Sequence, residues 1–161
     1  MLSLSRLIVN IEMLSEEMRD LLAGSGLHQA EYIELLEQYL KSLKQLNSEI
    51  AAQGLTEQQF AQLLAGTELV RCINARRMVS VQIRLIEYVL AYCDADTKAQ
   101  SILATDFAEN ADKRLNMLQT KAIKMRKQFK TVADAMGKAD YANFVDCTPL
   151  PNEDWQWHRL F

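Results

Sequence analysis

The chain has 161 residues, 49% hydrophobic and 24% charged, which fits one globular domain that can bury roughly two thirds of its unfolded surface without disulfide or metal staples. Five Gly and two Pro are too few to punctuate many short strands, and the composition excludes collagen-like, disulfide-scaffold and wholly disordered chains. The net charge of −3 is unevenly spread: residues 1–60 carry nine acids and four bases, whereas residues 113–130 carry seven bases and no acid.

A first helix is predicted over 3–23. Leu4, Leu7, Ile11, Leu14, Met18 and Leu21 recur at alternating steps of three and four, which is a helical seam. Gly24-Ser25-Gly26 ends it. A second helix is predicted over 27–53, with Tyr32, Leu36, Tyr39, Leu43, Leu46 and Ile50 in the same stepping, and Gly54 stops it. The short joint makes the two an antiparallel hairpin.

Thr56 and Gln59 then fit a capping box, with Leu55 and Phe60 as a hydrophobic staple. Gly66-Thr67 interrupts this third element. It reads either as a short helix 56–65 followed by a second over 67–93, or as one long kinked helix. Cys93-Asp94-Ala95-Asp96 reads as a turn, with Thr97 and Gln100 as a second capping box. A fourth helix is predicted from there to Met136, with a stripe of Leu103, Phe107, Ala111, Leu115, Leu118, Ala122, Met125, Phe129, Val132 and Met136. At 1.5 Å per residue it would be roughly 60 Å long, about twice the first helix, so part of it would need cover from a long third helix or a second subunit. A short helical turn follows over 139–145. The last residues hold both prolines, both tryptophans, His158, Leu160 and Phe161, a non-helical aromatic tail.

The expected fold is therefore all-α: an antiparallel four-helix bundle with long helices, a short fifth helical element and an irregular aromatic C-terminal tail. Residues 1–146 form the bundle domain and 147–161 the tail. Leu14, Leu36, Leu43, Ile83, Ile86, Leu118 and Phe129 are expected in the core.

Few residues suggest chemistry. With only His28 and His158, neither preceded three residues earlier by Glu, the di-iron helical motif is missing, and the three Cys form no C-x-x-C pair. No Gly-x-Ser-x-Gly and no Gly-rich phosphate loop occurs. No catalytic residue, metal site or cofactor is expected. Cys72 and Cys93 lie in apolar stretches as packing thiols, which reads as a reducing, cytoplasmic setting, and no secretory or transmembrane segment is expected. Glu31, Glu34 and Glu37, with Glu109 and Asp112, have spacing that an all-carboxylate magnesium site could use, but they also fit solvated faces.

Three surfaces remain. Lys113, Lys121, Lys124 and Lys127 fall within roughly a 120° arc opposite the fourth helix's apolar stripe, fit to face phosphate, a membrane surface or an acidic partner. Arg77 and Arg84, with Tyr88 one turn on, could grip an anion or simply pair with Glu68 or Glu87. Trp155, Trp157, Leu160 and Phe161 have the character of interface anchors, though they could equally dock on their own bundle. The leading expectation is a non-enzymatic protein-interaction protein: an adaptor, a chaperone or a toxin-neutralising partner. Its partner is another protein, with a homodimer also expected. Small acidic helical chaperones of bacterial secretion look broadly similar in size and charge. The first alternative binds nucleic acid or an anionic surface through the lysine arc. The second is a magnesium enzyme using acidic helix faces.

Overall fold

The apolar repeats become helices in the computed structural model, which describes residues 4–23, 29–71, 73–105, 111–148 and 150. Among these residues every regular element is helical: α1 (Leu4–Ala23), α2 (Gln29–Ala52), α3 (Glu57–Leu64), a 3-10 turn (Glu68–Arg71), α4 (Arg76–Thr105), α5 (Ala111–Met136) and α6 (Lys138–Cys147). No helix among them is long and apolar enough to cross a membrane.

The seams do what their spacing implies. Leu7, Ile11, Leu14 and Met18 of α1 and all six seam residues of α2 are buried. A fully buried Leu or Ile contributes about 1.5–3 kcal/mol relative to exposure, so such stripes dominate the stability of short helices. α1 packs on α2, α2 on α4, α4 on α5 and α5 on α6. Asn10 donates to the Ser42 hydroxyl at 3.2 Å, and Lys44 lies 3.7 Å from Glu87, which fixes the register of α1 on α2 and of α2 on α4. α6 bridges back to α1: the Ser15 hydroxyl donates to the Cys147 carbonyl and Arg19 to the Asp146 carbonyl.

The first capping box is present. Thr56 Oγ1 accepts from the Gln59 N–H at 3.1 Å, and Gln59 Oε1 accepts from the Thr56 N–H at 2.9 Å. Leu55 and Phe60 both pack into the core. Gly66, with φ of 81°, then ends α3 in a conformation that L side chains rarely adopt. This rules out one long kinked helix. The separation is also wider than expected, since α4 begins only at Arg76. Arg76 locks that start in place: Nη1 donates to the Leu55 carbonyl at 2.6 Å, and its backbone N–H donates to the Glu57 carboxylate at 3.3 Å. A carboxylate there suits the positive end of a helix.

The predicted turn at 93–96 is not a turn. α4 continues through it to Thr105 because Ala95, Ala99 and Ile102 extend the buried stripe that Val89, Tyr92 and Cys93 begin. With no Gly or Pro to stop it, the polar residues are absorbed as helix pairs. Lys98 sits 3.0 Å from Asp94, and Gln100 donates to Asp96 at 3.2 Å in place of the second capping box. The 60 Å fourth helix therefore does not exist. Its first turns belong to α4 and the rest is α5. Leu118 is half-buried and packs against the edge of the core, whereas Leu103 is exposed; Phe107 lies outside the described residues.

α6 is longer than the predicted 139–145. Phe129 meets Tyr141 edge-on at 6.2 Å, and Tyr141 meets Phe144 at 6.2 Å, so aromatic contacts seat α6 on α5. The packed chain runs past residue 146: Cys147 and Thr148 are buried and Leu150 packs against the core. Cys93 is a free, buried thiol, as expected, but Cys147 is disulfide-bonded, which corrects the reading of a chain without disulfides. Cys72 lies outside the described residues.

Candidate interaction surfaces

α4 and α5 stay packed together beyond the reach of α1 and α2. Lys44 of α2 meets Glu87, and Tyr32, near the start of α2, comes close to Cys93. The final ten residues of α4 therefore extend past the level where α2 begins. Between this end of α4 and the beginning of α5 runs a groove of about 380 Å³, lined by Lys98, Ser101, Ile102, Arg114, Met117 and Leu118. Its floor is apolar and its rim carries two cations. Met117 of this lining is 64% exposed, and Leu103, on the same end of α4, is 55% exposed.

Lys113, Lys121, Lys124 and Lys127 are all exposed on the outer side of α5, and none forms an ion pair with a described residue. Ala122, Phe129 and Ala133 occupy the opposite side, buried. Arg77 and Arg84 are likewise exposed, with Tyr88 half-buried beside them. Neither takes the acid that sequence spacing offered. Glu68 sits 3.9 Å from Arg71, and Glu87 is held by Lys44. The lysine arc and the Arg77–Arg84 pair lie on different helices, α5 and α4. Trp155, Trp157, Leu160 and Phe161 lie outside the described residues.

The outer face of α1 escaped sequence reasoning. Val9 and Met13, each 55% exposed, sit among Glu12, Glu16, Glu17 and Asp20. The signal was there: two large apolar residues lie off the α1 seam, at positions that helical spacing turns outward. Among the described residues no group of three or more His, Cys, Asp or Glu side chains could hold a metal ion.

The interior holds polar groups that titrate far from their usual range. Burial pushes the Cys93 thiol up to about 12, with nearby Asp96 adding to it. Burial likewise raises Tyr39 to about 12, against a pull downward from the Thr148 side chain. Tyr32 is raised by burial and by Cys93. Tyr92 is raised by burial, Asp96 and Cys93, with the Arg126 guanidinium opposing. A neutral, buried thiol is a poor nucleophile, so Cys93 is built for packing. These raised values set the alkaline limit of the fold. The ordinary values are 9.0 for Cys and 10.0 for Tyr, so the unfolded chain loses these protons first. The stabilisation is complete below pH 9 and is lost as pH climbs toward about 12. Circular dichroism across that window is expected to show unfolding that begins above pH 9. Ionisation of all five tyrosines near pH 10 with the helices intact would contradict the burial assigned to Tyr32 and Tyr39.

No protein-family model matches the chain, and neither a curated protein nor a solved structure matches it.

Proposed function

We propose that this chain is a non-enzymatic protein-binding protein of the adaptor, chaperone or toxin-neutralising kind. In this reading the four long helices form an antiparallel bundle that serves as a rigid mount. The partner engages the far end of the α4–α5 pair, with Trp155, Trp157, Leu160 and Phe161 supplying further anchors. The observation that carries it is the cation-rimmed apolar groove between Lys98–Ile102 and Arg114–Leu118. The floor of such a groove takes apolar side chains, while Lys98 and Arg114 select acids beside them. A reducing cytoplasm suits the free Cys93 but not a bonded Cys147, so the reading favours a setting in which the disulfide persists.

A second reading, binding of nucleic acid or another polyanion, draws on the lysines of α5, which have no acidic partner among the described residues. The two readings separate on mutation. Lys98→Glu with Arg114→Glu is expected to cut retention of the protein partner at least tenfold, with little change in melting temperature, since both residues are exposed. Unchanged retention would remove the groove from the account. Polyanion binding that vanishes steeply with salt, and only on reversal of Lys121 and Lys124, would favour the second reading.

A further inference from the structure

Four of the exposed large apolar side chains lie on just two helix faces, and those faces carry opposite charge. On α1, Val9 and Met13 stand among Glu12, Glu16, Glu17 and Asp20; Glu12, Glu16 and Asp20 also line the polar cavity that α1 shares with α6 and the 3-10 turn, so the face runs from Val9 to the edge of that cavity. On α5, Met117 and Ile123, 64% and 49% exposed, stand among Lys113, Lys121, Lys124 and Lys127. At 1.5 Å per residue the acidic patch is about 12 Å long and the basic one about 21 Å, so the first fits within the second. Neither the four acids nor the four lysines form an ion pair with a described residue. Nor do the two faces serve each other within one chain, because α6 stands between α1 and α5, bonded to α1 through Ser15 and Arg19 and packed on α5.

We infer that a second copy of this chain covers these faces, with the acidic face of α1 from one copy on the basic face of α5 from the other. A two-fold axis makes the contact twice and closes the assembly at a dimer. Val9 and Met13 meet Met117 and Ile123 at the centre, and the charges form the rim. Burying exposed methionine and β-branched side chains drives association, while the charges set register and oppose like-on-like pairing. Met117 also lines the α4–α5 groove, so the two contacts share that residue; Lys98 and Arg114, which carry the partner reading, belong to neither dimer face, and their reversal tests that reading separately.

The test is a charge swap read by mass in solution. The wild-type chain is expected to sediment as a dimer at about 0.1 M salt and to weaken at about 1 M, as the screening length falls from roughly 10 Å to roughly 3 Å. Reversing Glu16, Glu17 and Asp20 to Lys leaves Glu12 the one acid among three lysines on α1, so both faces are net basic. Reversing Lys121, Lys124 and Lys127 to Glu leaves Lys113 the one base among three acids on α5, so both faces are net acidic. Each variant alone is expected to dimerise on the order of a hundredfold more weakly. Mixed together they present a basic α1 to an acidic α5 and the reverse, so the mixture is expected to recover the dimer. All six positions are exposed, and circular dichroism checks that the variants fold. A monomeric wild-type chain at low salt, or a dimer indifferent to both reversals, overturns the inference. So does a mixture that stays monomeric. A monomer that still loses its protein partner on Lys98→Glu with Arg114→Glu would leave the partner reading standing.

Discussion

Phe129→Ala is expected to destabilise the fold by about 3–5 kcal/mol, the range for emptying a buried aromatic site. Phe129 is 4% exposed and is the one large aromatic that α5 commits to the interior. Its ring meets Tyr141 edge-on, and Tyr141 in turn contacts Phe144, which is fully buried. Removing it opens a void on the side of α5 that holds both α4 and α6. α6 is tied to α1 through Ser15 and Arg19, so it is not free to close over the void. Urea unfolding measures the loss. A cost below about 1 kcal/mol would mean that α5 is not seated where the structure puts it.

The second large effect belongs to Cys147. Reducing its disulfide, or Cys147→Ser, is expected to cost about 2–5 kcal/mol, because the bond restricts the unfolded chain. Cys147 closes α6 and lines a polar cavity of about 420 Å³ with Ser15, Arg19, Leu69 and Arg71, so the bond sits where α6, α1 and the 3-10 turn meet. That cavity also carries Glu12, Glu16, Asp20, Glu68 and Asp146. An acidic surround repels anionic thiolates, so a neutral dithiol is expected to reduce the bond faster than an anionic one. Peptide mapping without reductant is expected to recover Cys147 in a disulfide-linked peptide and Cys93 as a free thiol. Three titratable thiols in the unfolded, unreduced chain would contradict this.

What the sequence made legible was periodicity. The α1 and α2 seams, the Thr56–Gln59 box and the burial of Leu36, Leu43, Ile86 and Phe129 follow from local spacing, which one chain displays in full. The turn at Asp94–Asp96 failed for a physical reason. Acid-rich tetrapeptides flank turns, but an Asp at i also pairs with a Lys at i+4, and Asp94 does so with Lys98. The stripe predicted for the fourth helix was right in angle on α5 but too generous in burial at Leu118 of α5 and at Leu103, which belongs to α4, since a helix pair that outruns its neighbours leaves its far end in water. The lysine arc was legible from charge alone. The α4–α5 groove was not, because Lys98 and Arg114 meet only once the chain has turned between them. Nor was the disulfide, since the pairing of cysteines far apart in sequence depends on tertiary approach.

Protein binding is the role proposed for this chain. The most direct test is capture of the tagged full-length chain from its native cells with and without nuclease, read by mass spectrometry and by staining for nucleic acid. The expected result is one protein at stoichiometric yield, unchanged by nuclease and lost with Lys98→Glu and Arg114→Glu. Recovery dominated by nucleic acid, with every companion protein released by nuclease, would contradict it and move the lysines of α5 to the centre.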